Sequence, residues 1–225
     1  MTAAVTPSAA LKPGELGAGD KLFAGDWRFL GAASSMDTLP PPHGIELALA
    51  GRSNVGKSSL VNALTGRHAL ARVSHTPGRT QELIFFTASD AWKLVDMPGY
   101  GYAAAPKAKV AAWTGLIQAY LRGRANLARV YVLIDARHGI KSADAPVFDL
   151  LDEAAVSYQI VLTKSDEVGD AMLADGIAAT AAILAKRKAA FPEVLATSSR
   201  TGFGLPEMRA AMARVVAERG ARNAR

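Results

Sequence analysis

The stretch 45–50 is apolar and runs straight into Gly51-Arg52-Ser53-Asn54-Val55-Gly56-Lys57-Ser58, with a helical pattern over 57–65 behind it. This is a complete G-x-x-x-x-G-K-[ST] set between a strand and a helix, the context that motif requires. Gly51 and Gly56 let the backbone curl, so that successive N–H groups turn inward and cradle phosphates. The positive end of the helix that starts near Lys57 strengthens the same field. Lys57 is expected to reach the β- and γ-phosphates of a nucleotide, and the Ser58 hydroxyl to ligate Mg²⁺. A loop of this kind works at the carboxyl end of a strand in an open parallel sheet, which leaves one broad class of fold.

The rest of the chain has the alternation such a fold demands. Predicted strands lie at 45–50, 83–87, 92–96, 130–135, 158–163 and 193–197. Predicted helices lie at 57–65, 107–122, 144–155, 170–190 and 205–219. Only a short loop parts the second strand from the third, so that pair reads as an antiparallel hairpin. The other connections carry helices, which makes most of the sheet parallel and covers both faces. The expected fold is an α/β, three-layer P-loop domain of about six strands, one of them antiparallel, with helices on both faces. It is expected to fill residues 22–219, between a disordered tail at 1–21 and a basic tail at 220–225.

Composition excludes several alternatives. Half of the 225 residues are hydrophobic, enough for a core, and the absence of cysteine excludes disulfides, thiolate metal sites and a cysteine nucleophile. Lys and Arg number 26 against 20 Asp and Glu, a surplus of +6 that suits a polyanionic partner without requiring one. No apolar run approaches the roughly 18 residues of a membrane span, and the start of the chain has no secretory pattern. A cytoplasmic monomer with no membrane contact is the expectation. His43, His68, His75 and His138 show no metal-ligand spacing. Trp113 and Tyr120, seven apart on a predicted helix, read as core packing.

Three further motifs bear on the nucleotide. Asp96-Met97-Pro98-Gly99 closes an apolar strand, where the carboxylate would hold Mg²⁺ through a water and the Gly99 N–H would sense the γ-phosphate. Thr163-Lys164-Ser165-Asp166 ends another strand. A carboxylate there accepts hydrogen bonds from the N1–H and 2-amino group of guanine, whereas adenine lacks the amino donor and presents an acceptor at N1. A site built on such a pairing rejects the wrong base strongly. The Lys164 stem can pack along the purine face, and the backbone N–H groups of Thr197-Ser198-Ser199 are placed to donate to guanine O6. In order and spacing the set selects GTP and GDP over ATP.

Through LPPPHGIELALAGRSNVGKSSLVNALTG, TPGRTQ, VDMPGYGYA, LTKSD and SSRTGFG, the chain resembles the translation-factor-like GTPases. Within them it resembles the EngB (YihA/YsxC) family, over roughly residues 22–218. The resemblance implies a bacterial GTPase that associates with the large ribosomal subunit late in its assembly, through ribosomal RNA, ribosomal proteins or both. It also implies a link to normal cell division and septation. By matching position, Gly78, Arg79, Thr80, Gln81 and Glu82 would form the first switch, with Thr80 completing the Mg²⁺ coordination. Lys57, Thr80 and Gly99 would then be the catalytic contacts.

Ras-like enzymes orient the attacking water with a Gln after the switch glycine. Here Tyr100 follows Gly99, so slow intrinsic turnover that a partner stimulates is expected. Related GTPases that lack the Gln bind K⁺ through an Asn equivalent to Asn54, which puts K⁺ beside Mg²⁺ as a cofactor to test. Tyr100 and Tyr102 either offer exposed aromatics to RNA or a ribosomal protein, or pack against the neighbouring helix. Candidate RNA-facing cations are Lys107, Lys109, Arg122, Arg124, Lys186, Arg187 and Lys188, with Arg209, Arg214, Arg219, Arg222 and Arg225 near the end. Solvated helix faces account for each of them equally well. Two other functions use the same loop. A small-molecule phosphotransferase would have no purpose for the guanine-reading turn, and a septation scaffold with little hydrolysis would suit Tyr100.

Overall fold

The computed structural model describes residues 13–71, 82–100 and 107–223. Helix α1 (Pro13–Phe23) and strand β1 (Arg28–Ala33) precede the phosphate-loop unit, β2 (Ile45–Gly51) and α2 (Lys57–Thr65). A hairpin of β3 (Leu83–Ser89) and β4 (Trp92–Asp96) leads to α3 (Lys107–Gly123) and β5 (Leu127–Asp135). Then come α4 (Ala145–Glu153), β6 (Tyr158–Thr163), α5 (Asp170–Leu184), β7 (Leu195–Ala196) and α6 (Leu205–Asn223).

The seven strands among the described residues form one sheet in the order β1-β3-β4-β2-β5-β6-β7. β3 is antiparallel to both neighbours, and every other pair is parallel, so one strand runs against six. Parallel pairing therefore delivers Gly51, Asp96, Asp135, Thr163 and Ala196 to the same edge. Side chains alternate across each strand, which divides the core in two. Val130, Val132 and Ile134 of β5 meet Tyr120 of α3, Phe148 of α4 and Leu173 of α5. Tyr131 and Leu133 face the other way, onto Leu60 and Leu64 of α2 and Met208 and Met212 of α6. These are the three layers expected from the sequence.

Several elements differ from expectation. β1 makes a seventh strand; its outer half has no buried face to leave a pattern, since Phe29 is 57% and Leu30 40% exposed. Its register against β3 also slips between Phe29 and Gly31. Residues 13–21, assigned from sequence to a disordered tail, are helical, while 1–12 lie outside the described residues. α1 ends in Phe23, which packs with Trp27 and Trp92, ring centroids 5.1 to 5.5 Å apart. The last predicted strand shortens to two residues, and the helix predicted over 170–190 stops at Leu184.

At the amino end of the sheet Glu46 is fully buried. Its carboxylate takes the Arg124 guanidinium at 2.6 to 3.1 Å and the Tyr120 hydroxyl at 2.8 Å. Arg124 is thus an internal partner and not the RNA-facing cation considered above. Arg187 pairs with Asp149 and Asp152, Arg209 donates to the Leu64 carbonyl at 3.0 Å, and Arg214 pairs with Glu193 at 3.0 Å. Lys186, Lys188 and Arg222 are exposed. The side chains of Lys107, Lys109 and Trp113, and all of Arg225, lie outside the described residues.

Candidate functional site

β2 delivers Gly51 into a loop that ends at Gly56, which caps α2 with φ of 99°, a conformation glycine adopts without steric cost. A Cβ on Gly51 would stand 2.8 Å from Val55 Cγ1 and 3.1 Å from Leu133 Cβ, so the loop folds back only over bare backbone. Between them Asn54 takes φ of 64° without that freedom, a strain its surroundings must hold. The holders come from β6. Lys164 Nζ donates to the Asn54 carbonyl at 3.0 Å, and the Thr163 hydroxyl donates to the Val55 carbonyl at 2.8 Å. The turn expected to read the base therefore also braces the phosphate loop.

Asp96, buried at the end of β4, forms an ion pair with Lys57. The Met97 N–H donates to the Leu49 carbonyl at 2.9 Å, which fixes the start of this turn beside β2. After Pro98 and Gly99, Tyr100 pairs with the loop itself: its N–H donates to Gly51 O, and its carbonyl accepts from the Ser53 N–H, both at 3.2 Å. Tyr100 is buried, and its hydroxyl donates to Asp144 Oδ1 at 2.9 Å. Of the two roles left open for it, the structure shows packing. Burial first, and then the neighbouring Asp144 carboxylate, push its phenol far above the ordinary range, so it stays protonated. Tyr102, His75, Gly78, Arg79, Thr80 and Gln81 lie outside the described residues, and Glu82 is exposed just before β3.

Asp166 stands where β6 turns away. Arg200 approaches its Oδ2 at 2.7 Å, and the Ser198 hydroxyl foremost, then Arg200, holds the carboxyl below the usual carboxylate range. The Ser165 N–H donates to the Thr197 carbonyl at 3.1 Å, tying the two predicted base loops together. Ser198 is fully buried and Ser199 is exposed.

Asp135, Arg137 and Asp144 were not among the predicted site residues. They line a cleft of about 240 Å³ together with Arg52, Ser53, Asn54, Val55, His138 and Lys164. A carboxylate ending the apolar run VYVLI was the available signal for Asp135, since Asp96 closes β4 in the same way. Nothing local in the sequence marks Asp144, which reaches Tyr100 only through the fold. Mg²⁺ takes hard oxygen ligands. The Ser58 hydroxyl at the first turn of α2 and the Asp96 carboxylate, drawn against the loop by Lys57, are a donor set that fits it.

Residues 46–164 match the family model described as "50S ribosome-binding GTPase". A "Probable GTP-binding protein EngB" from Rhodopseudomonas palustris strain CGA009 is 65% identical over 212 residues, 93% of this chain and 98% of the relative. The chain belongs to the EngB family. An EngB relative from Nitrobacter hamburgensis is likewise 65% identical over 202 residues, 89% of this chain and 93% of the relative. Among solved structures, a crystal structure of an EngB superposes with a TM-score of 0.62 at 23% identity, over 77% of this chain and 99% of that one. Era in complex with MgGDPNP and nucleotides 1506-1542 of 16S ribosomal RNA gives 0.61 at 19% identity, over 77% and 57%. At those identities the structures show the shared EngB and Era fold. Among the described residues no helix is long and apolar enough to cross a membrane.

Proposed function

We propose that this EngB-family chain is a GTP-hydrolysing switch that acts in late assembly of the large ribosomal subunit and is linked to cell division and septation. The observation that carries the nucleotide choice is Asp166. It stands at the end of the strand whose Lys164 braces the phosphate loop, with Ser198 of the next loop against its carboxylate. Phosphates would lie on the N–H groups of 54 and 56–58, those of Ser53 and Val55 being bonded to the Tyr100 and Arg52 carbonyls, with Lys57 leaving Asp96 for the β- and γ-oxygens. Ser58, Thr80 and, through a water, Asp96 would hold Mg²⁺, which neutralises charge on those oxygens during transfer. The base would meet Asp166 and the Ser199 N–H alone of the three predicted donors, since the N–H groups of Thr197 and Ser198 already donate to the Leu162 and Phe203 carbonyls at 2.7 and 2.9 Å.

No side chain at the position after Gly99 is free to orient water, because the Tyr100 hydroxyl is committed to Asp144. Unassisted turnover is therefore slow, and the ribosomal partner completes the site. K⁺ bound beside Asn54, which is exposed at the rim of the cleft, would supply part of the missing charge. Support for a ribosomal partner is the description of the matched family model, together with the exposed Lys186, Lys188 and Arg222. The test is co-sedimentation with purified large subunits. Binding with a non-hydrolysable GTP analogue and release with GDP is expected, and indifference to the nucleotide would overturn the switch. The buried Tyr100 also favours a second reading, a GTP-dependent septation scaffold with little hydrolysis, which predicts no stimulation by subunits.

A further inference from the structure

β5 lies between β2 and β6, so its last carboxylate stands between the phosphate loop and the base-reading turn. Asp135 there pairs with Lys164 Nζ at 2.9 Å. Arg137 grips the same carboxylate three times: Nε to Oδ1 at 2.9 Å, Nη2 to Oδ2 at 2.7 Å and the backbone N–H to Oδ1 at 3.1 Å. Arg137 Nη1 then reaches Glu167 Oε2 at 2.7 Å, just past Lys164 in the chain. Lys164 closes the circuit on the Asn54 carbonyl at 3.0 Å. Both residues of that last bond have left-handed backbones, φ 64° and 56°, which residues with a Cβ adopt only at a cost. An ammonium on a four-carbon stem has many rotamers and three donors of its own. What confines this one is the carboxylate behind it.

We propose that Asp135, fixed by Arg137, is a positioning residue of the nucleotide site: it aims Lys164 at the Asn54 carbonyl and so slows nucleotide release. This rests on the guanine-nucleotide reading above. Asp135 acts on the ligand only through Lys164. Without it the Lys164 stem leaves the base face and the strained turn at Asn54 loses its brace, so bound nucleotide departs faster. Base selection is unaffected, because Asp166 is held by a different set, Ser198 and Arg200.

The experiment is release of a fluorescent GDP analogue from the full chain as wild type, D135N, R137A, K164M and D135N/K164M. Competition by ADP and the melting temperature are recorded alongside. D135N is expected to release GDP about tenfold faster and R137A about threefold faster, with ADP still excluded. The double variant should release no faster than K164M alone, whereas a merely structural role for Asp135 would add its effect to that of K164M. Release from both D135N and R137A within twofold of wild type, or full additivity in the double variant, would overturn the proposal. R137A, which leaves the carboxylate in place, serves as the test should D135N fail to fold. Failure of the wild type to bind GDP at all is the distinct outcome that removes the guanine reading beneath it.

Discussion

On the proposed reading, the Asp166 carboxylate decides which purine the site accepts, because both its oxygens act as acceptors and guanine alone presents two adjacent donors. Asp166→Asn puts a donor where the 2-amino group of guanine also donates. GDP affinity is expected to fall by about 100-fold or more, and xanthosine diphosphate, with an oxygen at that position, to bind better than GDP. Competition against fluorescent GDP measures both. Asp135 adds a dependence on pH. Burial alone would raise its carboxyl, but the hydrogen bonds from Arg137 and Lys164 outweigh that and hold it below the usual range. A carboxyl lowered by folding contributes stability that is in place above its unfolded value of about 3.9 and is lost as pH falls through the folded value. The melting temperature of the wild type should therefore drop further between about pH 5 and pH 3 than that of D135N.

The elements are held by bonds between residues far apart in the chain, and these are what the sequence hides. Tyr100 joins the turn after β4 to the start of α4 through Asp144. Tyr100→Phe should cost about 1–2 kcal/mol in urea unfolding, since it strips the partner from a buried carboxylate oxygen. GTP turnover should stay within about threefold of wild type. A tenfold loss of rate at unchanged stability would instead make the hydroxyl a catalytic contact. At the other end of the sheet Arg124→Met takes the guanidinium from the buried Glu46 carboxylate and leaves it the Tyr120 hydroxyl, with an expected loss of about 3–5 kcal/mol. Adding Glu46→Leu should recover most of it.

The helix over 57–65 was legible to the residue, because Gly56 and Gly66 punctuate it and its apolar positions face one side. β5 and β6 were legible from apolar runs buried on both faces. β1 was not, for its exposed outer residues leave no alternation to read. α1 was hidden for a related reason: its Gly- and Ala-containing sequence has little helical signal of its own and is ordered by packing Phe23 on Trp27 and Trp92. Every predicted site residue came from a local motif. Asp135 had only its place at the end of an apolar run to mark it, and Arg137 and Asp144 join the cleft through contacts that the fold makes.

Across the described residues, six strands point their carboxyl ends one way, and the phosphate loop, the turn at Asp96 and the loops after β6 and β7 rise from that edge. The phosphate loop, the turn at Asp96 and the loops after β6 and β7 are thus joined to one another by hydrogen bonds. On the reading proposed above, the bracing of the loop by Lys164 and of Tyr100 by Asp144 would tie ligand release to the packing of α4 and the end of β5. On the proposed reading such a chain holds a nucleotide firmly while Tyr100, at the position after Gly99, stays committed to Asp144 and a partner completes the site. The measurement that bears on this most directly is phosphate release from GTP in K⁺ buffer, with and without purified large ribosomal subunits, and with ATP as control. Slow release from GTP that the subunits accelerate, with ATP inert, is the expected result. Equal turnover of ATP, or GTP turnover indifferent to the subunits, would contradict it.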